Sequence, residues 1–147
     1  MDRREITRVL TEKINNSFWW HVTPRDSAAY KKRGKFLSST YRQAEFYGRP
    51  NDTPERVRIA NPVFGFPEEE ILEQLFPGKA AELLKGMGAD GNHAPNWYEK
   101  RIDLDAKMCR RAREMGFDAI VLLGSTGKKS LLQGRKPGSI ELNLLNA

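Results

Sequence analysis

The chain reads as one mixed α/β domain. Three observations predict this. Its 147 residues are a one-domain length, enough to bury a real core. Its composition, 39% hydrophobic, 30% charged and 10% aromatic, is that of an ordinary soluble globular protein rather than a disordered one. Along the chain, apolar residues recur at helical spacing in some stretches and alternate as in strands in others.

No run approaches the apolar length of a membrane span. Met1-Asp2-Arg3-Arg4-Glu5 has no apolar segment after its basic residues, so no signal peptide is expected, and a cytoplasmic protein, or one delivered into a target cell, is. Cys109 is the single cysteine, which excludes an internal disulfide, and its surroundings read as a helix with an inert thiol. With two histidines besides, a protein-bound zinc site is not expected. The net charge of +6 is uneven: residues 1–60 hold 13 Lys/Arg against 7 Asp/Glu, and residues 61–147 hold 12 against 12. A local positive field of this kind draws in anionic ligands such as a dinucleotide pyrophosphate or a nucleic-acid backbone. The cluster Lys31-Lys32-Arg33-Gly34-Lys35 is equally a solvated helix end.

Ile6, Val9, Leu10 and Ile14 share one side of an amphipathic helix over residues 3–14. Phe18 to Thr23, aromatic and β-branched and closed by Pro24, is a strand with Trp20 and Val22 on one face and Trp19, His21 and Thr23 on the other. Asp26 or Ser27 caps a short helix that Gly34 ends. A strand over Phe36 to Ser39 then leads through Thr40 into a short helix stopped by Gly48. Hydroxyls at Ser38 and Ser39 with Tyr47 one turn on offer a floor for a flat ligand ring, or form an ordinary strand-to-helix turn with Tyr47 in the core. Arg56 to Ala60 alternates as a third strand, stopped by Asn61-Pro62. Pro67 with Glu68-Glu69-Glu70 starts a helix that Pro77-Gly78 interrupts before it resumes to Lys85.

Gly86 to Pro95, with His93, is irregular, and nothing around His93 is arranged as a partner. Asn96 to Met115 is helical, with Trp97, Arg101, Leu104, Met108 and Ala112 on one stripe. Phe117 to Leu123 is a buried strand. Gly124 to Gly138 reads as a long loop carrying Lys128, Lys129, Arg135 and Lys136. The last strand alternates, with Ile140, Leu142 and Leu144 one way and Ser139, Glu141 and Asn143 the other.

Glu141 stands inside a strand just after a long basic loop. Alone it reads as a solvent-facing carboxylate on an edge strand. His21 alone reads as a satisfied structural histidine, or, with Thr23 on its face, as a ribose holder. In combination, Trp20-His21-Val22-Thr23, then Phe36-Leu37-Ser38-Ser39-Thr40 with Ala44 and Tyr47-Gly48, resemble known elements. Val57 to Pro62, Gly116-Phe117-Asp118-Ala119-Ile120 and Ser139-Ile140-Glu141 follow in order. The resemblance is to the ADP-ribosyltransferase superfamily, in its diphtheria-toxin-like branch with a histidine, a tyrosine and a glutamate. It runs from about Trp19 to Leu145, in a single domain over 1–147 whose N-terminal helix (1–16) lies outside it.

That resemblance implies an α+β fold with a split, mainly antiparallel β core and flanking helices, binding NAD as substrate and no metal. His21 would meet a ribose hydroxyl beside Thr23, and backbone around Val22 the nicotinamide amide. Ser38, Ser39 and Tyr41 would line the pocket, Tyr47 would stack on nicotinamide, and Glu141 would hold the ribose 2′-hydroxyl. Such domains occur as toxins, effectors and phage proteins. The implied partners are NAD, a macromolecular acceptor, protein or nucleic acid, and an antitoxin or immunity protein, with no membrane. The loop with Lys128, Lys129, Arg135 and Lys136 falls where relatives recognise targets. The chain departs from the pattern at Leu37, where an aromatic is usual and Tyr41 or Trp19 would have to substitute, at Val22 in place of glycine, and at Ser139. Ser139 gives no support to guanidinium modification. Two other readings stay open: a non-catalytic module on the same fold holding nucleic acid, and plain NAD hydrolysis.

Overall fold

The computed structural model describes residues 2–26, 28–85, 87, 95–133, 135 and 138–146. Ser27, His93 with the stretch around it, and Lys136 lie outside the described residues. In chain order the elements are α1 (Arg3–Asn15), β1 (Phe18–His21), α2 (Ala29–Arg33), β2 (Lys35–Ser38) and α3 (Tyr41–Ala44), which runs into a 3-10 turn (Glu45–Tyr47). There follow β3 (Glu55–Arg56), β4 (Pro62–Gly65), α4 (Glu68–Leu75), α5 (Ala80–Leu84), α6 (Trp97–Glu114), β5 (Ala119–Leu122), α7 (Gly124–Leu132) and β6 (Glu141–Leu144).

The strands make one six-stranded sheet in the order β3-β1-β2-β6-β5-β4. Only β4 and β5 run parallel; every other pair is antiparallel. β1 changes partner midway, pairing through Phe18 and Trp19 with β3 and through Trp20 and His21 with β2. β6 sits between β2 and β5, so Glu141 belongs to a central strand and not to an edge.

Residues opposed across a sheet project to the same face. The row His21, Leu37, Leu142, Val121, Phe64 faces α1 and α7, and its apolar members join Leu10, Ile14 and Leu131 in one core. The adjoining row, Trp20, Ser38, Glu141, Leu122, Gly65, faces the other way. On that side α4, α5 and α6 supply Ile71, Leu75, Ala80, Leu104 and Met108 to a second core with Val63 and Ile120. The sheet is thus the middle of three layers. α1 is joined to it by the Trp19 indole, which donates to the Ile14 carbonyl at 3.0 Å, and Asp2 caps the helix start by accepting from Glu5 N at 2.9 Å.

Three expectations are corrected. The strand expected over Arg56 to Ala60 is only Glu55–Arg56. Val57 and Ile59 are buried as expected, but side chains and not a neighbouring strand satisfy the backbone beyond them. Asn15 bonds both the N–H and the carbonyl of Ile59, and the Asp118 carboxylate takes the N–H groups of Ala60 and Asn61. Pro62, expected to stop a strand, opens β4, an edge strand whose first residue needs no N–H. The expected loop Gly124 to Gly138 begins as α7. Its glycines and hydroxyls are poor helix formers, and burial of Leu131 in the core beside α1 outweighs them.

Gly34, at φ +79°, turns the chain from α2 into β2; a Cβ there meets the Asn143 side chain and, at 2.8 Å, the Leu144 carbonyl. Gly78 has the same φ with nothing within 4 Å. Alanine at either position carries positive-φ strain of about 1–3 kcal/mol, and at Gly34 the ψ of −175° adds to it by placing the residue in a region essentially confined to glycine. Gly34→Ala also pushes on β6, so its urea midpoint is expected to fall clearly below that of Gly78→Ala. Equal losses would show that β6 yields freely at this point.

Candidate functional site

The site is built where β2 ends beside β6. Ser39 fastens the two: its N–H donates to the Ile140 carbonyl at 3.2 Å, and its hydroxyl accepts from Ile140 N at 3.0 Å while donating to Gln43 Oε1 at 3.2 Å. Glu141 is the next residue and lies opposite Ser38 on β2 and Leu122 on β5. Thr40 then caps α3 by accepting from Gln43 N at 3.1 Å. α3 and its 3-10 turn carry Tyr47 back over the strand ends, where the Tyr47 hydroxyl donates to Glu141 Oε1 at 2.7 Å. Gly48 closes the turn against Val22.

Tyr47 is 65% exposed and so is not a core residue. Desolvation, and then the bond to Glu141, push its phenol well above the ordinary range.

Beside Glu141 a narrow cleft has an apolar floor of Ile71, Met108, Ile120 and Leu122, with Phe36 at its wall and Glu68 and Asp105 at its rim. The rim carboxylates are held by two arginines. Arg101 bonds Glu68 and Asp105 at 2.7 Å each, and Arg33 bonds Asp105 at 2.7 Å. Burial alone would lower the Arg101 pKa, but its two carboxylate partners outweigh that and hold the guanidinium charged. A charge-alternating chain thus ties α4, α6 and α2 together along one side of the cleft.

The remaining sequence-selected residues divide. Ser38 is buried beside Glu141. Tyr41 is exposed on the same side, edge-on to Trp20 with centroids 5.1 Å apart. Trp19 is fully buried in the opposite core, so of the two aromatics considered for the place of Leu37 only Tyr41 is accessible. His21 is not brought to Glu141. It starts from the row facing α1, is 4% exposed, and has both ring nitrogens engaged at 2.8 Å, Nδ1 with the Phe36 carbonyl and Nε2 with the Tyr30 hydroxyl. Thr23 donates to Asn51 Oδ1 at 3.1 Å, and the His21 carbonyl accepts from Asn51 N at 2.8 Å.

Lys128 and Lys129 are exposed on α7, in the layer opposite Glu141. Arg135 follows that helix and bonds Gln133. Cys109 is buried in α6, where desolvation raises its thiol pKa against the opposing pull of Arg113. Among the described residues no His, Cys, Asp or Glu group has the arrangement of a metal site. Nor is any described helix long and apolar enough to cross a membrane.

Sequence reasoning gave Arg101 only a place on a helical stripe and Phe36 only a place in the strand before Ser38, and it passed over Asp105. The signal for the first was present: Arg101 interrupts an apolar helical stripe, a position where a charge requires a partner, and Asp105 stands four residues on. Compared with family models, curated proteins and solved structures, the chain matches none.

Two outcomes are expected. Ser39→Ala leaves the Ile140 N–H without its acceptor and costs about 1–3 kcal/mol in urea unfolding, whereas Ser39→Thr, which keeps the hydroxyl, loses less. Tyr47 ionises above the ordinary 10.0 in the folded chain. Desolvation, and then the bond to Glu141, hold the proton on, so the neutral phenol's contribution to the fold is whole below the ordinary value and is progressively lost as pH rises above it, since the unfolded chain releases the proton first. Spectrophotometric titration should place one phenol late, and Glu141→Gln should bring it earlier. A late phenol unmoved by Glu141→Gln would mean that Glu141 is not its partner.

Proposed function

We propose that the chain transfers ADP-ribose from NAD to a macromolecular acceptor on an α+β core of the ADP-ribosyltransferase type, with Glu141 stabilising the reacting ribose. The observation that carries this reading is the Tyr47–Glu141 bond. Two residues 94 apart in sequence, both implied for the NAD pocket by the resemblance, meet at a carboxylate on a central strand. Ser38 and Tyr41, implied for the same pocket, border the same side of the sheet.

The chemistry follows from charge. The C1′–N bond of NAD breaks with its electron pair leaving on the nicotinamide nitrogen, which becomes neutral, and positive charge grows on the ribose. A fixed carboxylate stabilises that charge more in the transition state than in the ground state. Its hydrogen bond to the ribose 2′-hydroxyl strengthens as the charge develops, as in glycoside hydrolysis. The acceptor's lone pair then forms the new bond to C1′ and its proton passes to solvent. Without substrate, Tyr47 satisfies Glu141. On binding, the ribose 2′-hydroxyl replaces the phenol, and the Tyr47 ring is free to stack on nicotinamide. His21, held between Phe36 and Tyr30, reaches a ribose only by exchanging the Tyr30 hydroxyl. In this reading its first role is to fix β1 against β2 and α2.

Purified protein incubated with labelled NAD and a cell lysate should release nicotinamide and label a macromolecule. Glu141→Gln should reduce both by about 10²–10³-fold, the scale of one principal transition-state contact. Tyr47→Phe, which keeps the ring, should lose less than Tyr47→Ala. Nicotinamide release with no labelled acceptor would mean hydrolysis. Absence of turnover at any NAD concentration overturns the proposal.

A further inference from the structure

We infer that the α3 segment beside Glu141 is the docking surface for the acceptor, and that the acceptor is a single-stranded nucleic acid. The inference deepens the transferase reading and rests on it for the transfer, though not for the binding. Within nine residues, Tyr41 to Arg49, three aromatic side chains stand in solvent: Tyr41 at 42% exposure, Phe46 at 87% and Tyr47 at 65%. Phe46 forgoes nearly all the burial that would stabilise it by about 1.5–3 kcal/mol. It serves neither core nor the pocket described above. Arg42 and Arg49 are also exposed here and make no ion pair among the described residues, against one acid in the segment, Glu45.

Aromatic faces interleaved with free arginines are the chemistry of single-strand recognition. Unpaired bases stack on the rings while guanidinium groups follow the phosphates. A duplex keeps its bases stacked on one another and offers such a surface only its backbone. Charge complementarity extends the argument, because within the segment itself the two exposed arginines outnumber the single acid, Glu45. The basic side chains of α7, by contrast, lie in the layer away from Glu141. A base stacked on Phe46 stands one residue from Tyr47, whose hydroxyl marks the carboxylate.

The test uses the full chain with fluorescent fifteen-nucleotide DNA and RNA single strands and a matching duplex, followed by anisotropy over a series of salt concentrations. Single strands should bind more tightly than duplex. Phe46→Ala should weaken binding about tenfold or more at unchanged salt slope, and Arg42→Ala with Arg49→Ala should lower that slope by about 1.4. With labelled NAD added, the bound strand should take up label in the wild type and not in Glu141→Gln. No strand binding, equal binding of duplex, or binding indifferent to these variants overturns the inference even if NAD is consumed. So does NAD turnover that leaves a bound strand unlabelled. Strand binding with the expected variant effects but no NAD turnover leaves the docking surface standing and removes the transferase reading instead.

Discussion

β6 is bound on both sides, to β2 through four opposed pairs and to β5 through another four, and Ser39 ties the residue before it to the turn after β2. A carboxylate on such a strand has little freedom. Its backbone is fixed by two ladders, its cross-strand neighbours are Ser38 and Leu122, and its Oε1 accepts from the Tyr47 hydroxyl. For the role proposed for Glu141 this rigidity is the useful property, since dipoles and charges already in place cost no reorganisation in a reaction. The apolar residues of the two flanking layers matter to the site through this strand, because they pack the sheet against α1 on one side and α6 on the other.

The second constraint is electrical. Glu68, Asp105 and Glu141 converge on one cleft, and like charges so placed would repel if left alone. Arg101 and Arg33 divide them, each guanidinium bridging to a carboxylate of a different helix or the same one four residues on. Removing one member of a partly buried chain of this kind leaves the others facing each other, so the network constrains where α6 and α2 sit as well as the charge of the cleft. Phe36, with Arg33 5.6 Å over its ring, connects that network to the β2 strand.

Much of this was legible in order and type. The amphipathic start, the aromatic first strand, the helix opened by three glutamates, the long helix ending at Gly116 and the alternating last strand follow from period and caps, because those signals are local. Tyr47 and Glu141 were assigned to one site only through the resemblance, in separate roles, and the bond between them was not legible. What stayed hidden depended on partners far away in sequence. The segment after Arg56 has strand-like alternation, yet Asn15 and Asp118 take its hydrogen bonds. Gly124 to Leu132 has the composition of a loop, yet Leu131 finds a core. β4 begins on a proline, a residue that punctuates most strands and is harmless at an edge. His21 fits both readings in sequence, because what occupies its two nitrogens, a carbonyl one strand away and a phenol nine residues on, is set by the fold.

The placement of β6 has a consequence for biosynthesis. A ribosome delivers β1, β2, β4 and β5 before Glu141–Leu144, so the two halves of the sheet wait with unpaired inner edges for a strand about a hundred residues downstream of β2. Closing that distance is entropically slow, and high sequence separation between partners lowers folding rates generally. The same delay works as a timer: a nascent chain lacks both the central ladder and the carboxylate, and acquires them in a single late event.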